Sequence, residues 1–227
     1  MTQEASIPVP IPDRVAAGQA LARLLSAYRR RPDVIVLALP RGGVPVAYQI
    51  ADALEVRLDL MLVRKLGVPG HSELAMGAIA SGAVRVMNPD VLEYARVDQA
   101  AIAAVAAKEN QELQRRDRVY RGQRPPPELR GQQVILVDDG VATGATMMAA
   151  LQAVRQQAPA RIIVAVPVAA PESAAQLRNQ VDELICPCMP PMLMAIGHWY
   201  ADFGQTPDQE VIDLLQRAWQ READQPG

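Results

Sequence analysis

The stretch VILVDDGVATGAT, residues 134–146, decides the reading of this chain. Four apolar, mostly β-branched residues run into two adjacent acids, Asp138 and Asp139, and an uncharged loop of glycine, alanine and threonine follows. The apolar run has the length of a strand buried on both faces. The loop then opens a helix from about Gly144 to Gln157. Its glycines let backbone approach a ligand, and a helix N-terminus with free N–H groups favours a phosphate. Two carboxylates at the end of a buried strand need compensation, by donors, sugar hydroxyls or a metal. A phosphate loop beside an acid pair therefore suits a ligand carrying a phosphate and vicinal hydroxyls, such as a ribose 5-phosphate. The lysine-bearing G-x-x-x-x-G-K-[ST] loop is absent, as is a G-x-G-x-x-G after the first strand.

Outward from this stretch the pattern repeats. VIVLAL (34–39) predicts a first buried strand, followed by RGGVP and a helix to about Leu54. LDLMLV (58–63) predicts a second strand, LGVPGHSE (66–73) a loop, and LAMGAIA with AVRVM a strand pair turning at Ser81-Gly82. Asp98 is placed to cap a long Ala-rich helix reaching about Arg118, and 121–131 reads as a linker. RIIVAVPVA (161–169), ESAAQLRN and VDELIC predict a strand, a short helix and a last strand. Asp13 is expected to cap a helix with Leu21, Leu24, Leu25 and Tyr28 on one face, and Asp208 to cap a C-terminal helix with Val211, Leu214, Leu215 and Ala218 inward. Strands alternating with helices imply an α/β fold, a Rossmann-like, mostly parallel sheet flanked by helices. Ligands of such sheets lie beyond the carboxyl ends of the strands, where the loops after Leu39, Val63 and Val137 would meet.

Bulk composition agrees. The 227 residues are half hydrophobic, which is enough for a sizeable core, and the formal charge of −2 gives no reason to expect nucleic acid. Two cysteines, Cys186 and Cys188, flank a proline and are too close for an unstrained disulfide. With His198 they lack a fourth ligand at sensible spacing for zinc. The start has no secretory pattern and no apolar run is long enough to span a bilayer, so the expectation is a cytoplasmic protein with no membrane partner. The arginines at 115, 116, 118, 121, 124 and 130 form a basic run that reads as a solvated helix end and linker, with a subunit contact or a reach toward a ligand's phosphates as the alternative.

VILVDDGVATGAT resembles the phosphoribosyl-pyrophosphate (PRPP) motif of type I phosphoribosyltransferases. LPRGGVP (39–45) is similar to that family's pyrophosphate loop, and VRKLGVPG (63–70) to the strand end and flexible loop of its adenine and orotate members. The resemblance covers about residues 34–185. It implies an N-terminal arm and helix (1–33), a core (34–185) and a C-terminal hood segment and helix (186–227), the hood being built from the chain ends. It further implies transfer of a 5-phosphoribosyl group from Mg2+-bound PRPP to a nucleobase-like acceptor, with release of pyrophosphate, in a homodimer. A non-catalytic PRPP-sensing regulator on the same fold is the alternative.

Residue by residue, the resemblance gives Asp138 and Asp139 the ribose hydroxyls, and the pair would also meet Mg2+, directly or through water. Gly140, Val141, Ala142, Thr143, Gly144, Ala145 and Thr146 would cradle the 5-phosphate. Arg41, Gly42, Gly43, Arg64 and Lys65 would bind pyrophosphate. Of these, Asp138, Asp139, Lys65 and Arg41 are the catalytic candidates. His71 and Glu73 would lie in a loop closing over the site. A cis non-proline peptide is expected before the first loop glycine, around Pro40–Arg41–Gly42. Trp199, Tyr200 and Phe203, with Asp202 among them, read either as an acceptor pocket that stacks on a planar base or as a small core under the C-terminal segment.

Overall fold

The computed structural model describes residues 7–82 and 84–224, without the side chains of Ser72 and Glu73. Five parallel strands form the central sheet: β1 (Val34–Ala38), β2 (Arg57–Leu60), β6 (Gln133–Val137), β7 (Arg161–Ala165) and β8 (Glu183–Ile185). Their spatial order is β2-β1-β6-β7-β8. β1 and β6 are buried throughout, so their apolar runs need no polar alternation. Side chains still alternate between faces. Val36 and Ala38 of β1 and Ile135 and Val137 of β6 point into the core shared with α1 (Arg14–Leu24), α2 (Gly43–Leu54) and α7 (Asp208–Asp224). Ile35, Leu37, Val134 and Leu136 point into the core beneath α5 (Ala145–Gln156) and α6 (Pro171–Arg178). This is the expected α/β architecture, a parallel sheet with helices on both faces. No helix of the described residues is long and apolar enough to cross a membrane.

The region after β2 differs from expectation. The predicted strand 58–63 is two strands of different sheets. β2 stops at Leu60, where the Asp59 carboxylate takes the Leu60 N–H at 2.6 Å. The chain turns through Met61 and Leu62 into β3 (Val63–Val68). β3, β4 (His71–Ala80) and β5 (Val84–Met87) form a separate antiparallel sheet. The apolar residues Leu60–Val63 run across the break, and Leu60, Met61 and Leu62 are all buried, which hides the crossing. The predicted loop 66–73 is thus the tip of a hairpin: Val68 pairs with His71 around Pro69 and Gly70, the latter at φ +80°. Gly67 sits at a register shift, as a glycine inside a strand often does.

Caps account for several helix starts. Asp13 accepts the Ala16 N–H at 2.7 Å, and Asp98 accepts the Ala101 N–H at 2.7 Å to start α4 (Gln99–Arg121). Asn88, with Pro89 at the first helical position, starts α3 (Pro89–Ala95), which sequence reading missed. Asp208 is not a cap but the first residue of α7. Its carboxylate instead accepts the Tyr120 hydroxyl at 2.7 Å.

The basic run is not all solvated. Arg121 is buried and binds Asp59 through Nε at 2.7 Å, the Leu60 carbonyl at 2.5 Å, and Asp117. This one side chain ties the end of α4 to the place where the chain leaves the parallel sheet.

Candidate functional site

In a parallel sheet ordered β2-β1-β6-β7-β8, the connections leave β1 and β6 in opposite directions, and a crevice opens between the two strand ends. The loop after β1 carries Pro40–Gly42, and the loop after β6 carries Asp138–Gly144. The two are packed on one another. A Cβ at Gly42 would lie 1.9 Å from Oδ2 of Asp139, and a Cβ at Gly43 would lie 2.7 Å from the Val137 carbonyl oxygen. Only glycine lets the loops cross there. The structure therefore brings Gly42, Gly43, Asp138 and Asp139 together, as the sequence implied.

The loop 140–146 is held at its start and open at its end. Val141 exchanges backbone bonds with the β7–α6 connection: its N–H reaches the Val168 carbonyl at 2.9 Å, and its carbonyl takes the Ala170 N–H at 2.9 Å. Ser173 donates to the Ala142 carbonyl at 2.6 Å. Gly140 lies under Ile196, where a Cβ would come within 2.6 Å of the isoleucine side chain. Gly144, at φ +74°, turns the chain into α5 with no side-chain cap. Thr143, Ala145 and Thr146 are exposed beside that N-terminus. α2 likewise starts at Gly42 without a side-chain cap. The N-terminus of α5 thus offers N–H groups to the crevice, an arrangement suited to a phosphate group, whereas at α2 the Gly43 N–H is taken by the Leu39 carbonyl and the Val44 N–H by the Arg41 carbonyl, each at 3.1 Å, and Pro45 has none.

The acids are not equivalent. Asp139 is buried, and its Oδ2 receives Arg14 through Nε at 2.9 Å and Nη2 at 2.8 Å. Burial pushes its carboxyl up, and Arg14 opposes the shift. Asp138 is half-buried, and its Oδ1 accepts the Asp139 N–H at 2.9 Å. Burial, then the neighbouring Asp139 charge, drive the Asp138 carboxyl well above the usual carboxylate range. A raised carboxyl marks a site lacking cationic or hydrogen-bonding compensation, which a polyol or a cation would supply.

The remaining candidates divide. A cis non-proline peptide joins Pro40 to Arg41, within the expected stretch Pro40–Arg41–Gly42, and Arg41 is exposed with Nη1 3.5 Å from Asp208. Arg64 lies within β3 rather than at a parallel strand's end, and Glu109 of α4 takes its Nε at 2.8 Å. Lys65, exposed in β3, has no ion pair among the described residues. It lines a cleft of about 330 Å3 between the small sheet and α5, with Ala145 and Met148. His71 is exposed at the hairpin tip. Glu73 has its backbone in β4, while its side chain lies outside what the structure describes.

The aromatic cluster is mostly core. Tyr200 is buried, and its hydroxyl donates to the Asp139 carbonyl at 2.7 Å, so its ring is not free to stack on an acceptor. Phe203 stands 4.8 Å from the Tyr200 ring, with the Arg14 guanidinium 4.0 Å over its centroid. Trp199 is half-buried and Asp202 is exposed. Cys186 and Cys188 pack into opposite cores, and burial pushes the Cys186 thiol up to about 12. No cluster of three metal-ligating side chains occurs among the described residues.

Sequence reading missed Arg14. Its signal was an unusual position: a cation in the first turn of a helix opposes the helix dipole, so the residue needs another reason to be there. Tyr200 was noticed, but for its ring rather than its hydroxyl.

The fold is an α/β one, a five-stranded parallel sheet flanked by helices with a small antiparallel sheet beside it. Residues 11–192 match the phosphoribosyl transferase domain family, and the chain belongs to that family. It is 44% identical over 206 residues to a Mycobacterium tuberculosis protein named "Putative phosphoribosyl transferase", covering 91% of this chain and 46% of that one. The chain thus spans about half the length of the curated relatives it matches. It also resembles the crystal structure of the TT1426 protein of Thermus thermophilus, at 42% identity and a TM-score of 0.81, over 90% of this chain and 97% of that one.

Proposed function

We propose that the protein binds Mg2+-PRPP in the β1–β6 crevice and transfers its 5-phosphoribosyl group to a nucleobase-like acceptor, releasing pyrophosphate. The observation that carries this reading is the crossing of the two loops. An acid pair needing compensation, the uncapped N-terminus of α5 and two glycines without room for a side chain lie within one crevice. The open N-terminus of α5, with Thr143 and Thr146, suits the 5-phosphate. Arg41, in the loop after β1, suits the pyrophosphate, and Lys65 is a further cation for it. The acid pair suits the sugar hydroxyls. The reaction would need few groups at the anomeric carbon itself, because positioning and charge stabilisation carry it.

The donor set also fits Mg2+ of one kind. Without a three-ligand protein cluster among the described residues, a protein cage is not offered. Magnesium is commonly held by one or two carboxylates together with substrate phosphates and water, which Asp138 and a bound pyrophosphate could provide. Bound there, it would neutralise charge on the departing pyrophosphate.

Phosphorus NMR of Mg2+-PRPP with the protein, followed by a mixture of free bases, tests the proposal. Base-dependent loss of PRPP signals with growing pyrophosphate, absent in an Asp138→Asn/Asp139→Asn double variant, is the expected result. Unperturbed PRPP signals with folded protein would overturn it. One observation favours the sensing alternative: Tyr200 and Phe203 are engaged with Asp139 and Arg14, leaving fewer aromatic faces for an acceptor. Shifted PRPP signals without turnover would be its signature.

A further inference from the structure

Arg14 bonds Asp139, and it also lines a hollow of about 260 Å3 that Asp139 does not reach. The hollow lies between the starts of α1, α2 and α7 and the segment 202–206, with Val15 and Pro45 as apolar walls. Three carboxylates line it, Asp13, Asp202 and Glu210, and none has an ion pair among the described residues. Backbone N–H groups take one oxygen each of Asp13, from Ala16, and of Asp202, from Gly204 at 3.2 Å. Arg14 is the one cation in the lining, and its guanidinium is committed to Asp139 Oδ2 and, at 2.7 Å, to the Gly204 carbonyl. The helix starts contribute about half a positive charge each, which three full carboxylates outweigh. A second observation is independent of charge. Thr206, only 5% exposed, also lines the hollow and is the one buried polar side chain of the described residues without a hydrogen bond. No fully enclosed side-chain oxygen or nitrogen of the described residues lacks a partner, so the Thr206 hydroxyl opens onto the hollow. A hydroxyl set in a buried wall with nothing to bond is placed for a ligand.

We propose that this hollow binds the amine or amidine group of a small ligand. Asp202 and Glu210 receive its N–H donors, Asp13 adds negative charge, and the Thr206 hydroxyl accepts a further N–H. Val15 and Pro45 cover the ligand's carbon body. An anionic ligand would meet three like charges there. Arg14 belongs both to the hollow and to the Asp139 contact, so a ligand in the hollow and a ligand in the crevice would alter one another's affinity by the same factor. The site goes beyond the PRPP reading and does not depend on it.

The test is calorimetry of the full chain at low salt, without PRPP. The probe is agmatine, an ammonium and a guanidinium on a short alkyl chain, against glutarate, a dianion of similar length. Agmatine should bind, more weakly as salt rises, and glutarate should not. Asp202→Asn and Glu210→Gln should each weaken agmatine by about 10-fold, and Thr206→Val by about 5-fold, while Thr206→Ser keeps the affinity. No agmatine binding by folded protein, equal binding of glutarate, or unchanged affinity in both acid variants would overturn the proposal. So would a Thr206→Val protein that melts earlier yet binds agmatine as before, because the hydroxyl would then serve only the start of α7. Should Thr206→Val not fold, the two acid variants, altered at exposed positions, carry the comparison. Phosphorus NMR with Mg2+-PRPP then assigns the source of the amine. Pyrophosphate growing with consumption of an amine-bearing base that agmatine displaces makes it the acceptor's. A change of PRPP affinity on adding agmatine, without turnover, makes it a separate effector's, and either result upholds the site. Unperturbed PRPP signals would sink the PRPP reading and leave the agmatine result standing.

Discussion

At the scale of the residue, the acid pair is a place where burial works against charge. The Asp138 carboxyl is held well above the usual range by burial and by the Asp139 charge. A carboxyl whose folded value is raised stabilises the fold while protonated and loses that contribution as pH rises through the folded value. At neutral pH the charged form is therefore a burden. Asp138→Asn should raise the stability of the ligand-free protein by about 1 kcal/mol, seen as a higher melting temperature at pH 7, while PRPP affinity falls. A lower melting temperature would show that the charge is compensated in the fold. The identities of these residues were legible because acid pair, glycines and threonines are contiguous or sit in one short loop. The ion pair of Asp139 with Arg14 was not, because its partner lies 125 positions away.

At the scale of the element, α4 is anchored by Ile102, Leu113 and Tyr120 in the core and by a buried ion pair at its last residue. Arg121 has no exposed side-chain surface and joins Asp59 of β2, the Leu60 carbonyl and Asp117. Removing one partner of such a pair leaves a buried charge alone, so Arg121→Ala should cost about 3–5 kcal/mol in denaturant unfolding. Arg121→Met combined with Asp59→Leu should recover much of that loss, since two apolar side chains leave no orphan. Sequence reading placed Arg121 on a solvated helix end because an arginine in a last turn is what the helix dipole favours anyway. Its buried partner, Asp59, lies in an apolar strand where nothing local distinguishes a paired acid. The split of LDLMLV between two sheets was hidden for a similar reason: Leu58 through Leu62 is buried on both sides of the break. By contrast, β1, β6, α1 and α4 were readable, because continuous apolar runs and side-chain caps are local signals.

At the scale of the whole molecule, phenol hydroxyls tie distant parts of the chain together. Tyr28 donates to Glu183 and Tyr120 to Asp208, and burial followed by these bonds pushes each phenol up to about 12. Burial raises Tyr200 still further. Because the folded values lie above those of an unfolded chain, these bonds stabilise fully below about pH 10, and their contribution is lost as pH climbs toward 12. An alkaline titration followed at the phenolate absorbance band should therefore show Tyr28, Tyr120 and Tyr200 ionising late. Tyr28→Phe should reduce the loss of stability between about pH 10 and 12. Early, independent ionisation of all five tyrosines would contradict the bonding described.

The support around Asp139 also dictates an order of assembly. Ile11 pairs with Tyr200, its N–H reaching the Trp199 carbonyl at 2.8 Å, and Arg14 spans to Gly204 across 190 positions. A ribosome delivers Arg14 long before the residues that clasp it. The sheet can form as soon as β8 has emerged, yet Asp139 cannot be fully braced until residue 204 is out. Closing so long a span comes late because its entropy is lost before the contacts can repay it. The crevice would then mature after the sheet that carries it, and a stalled or truncated product would hold a nearly complete fold around an unfinished crevice.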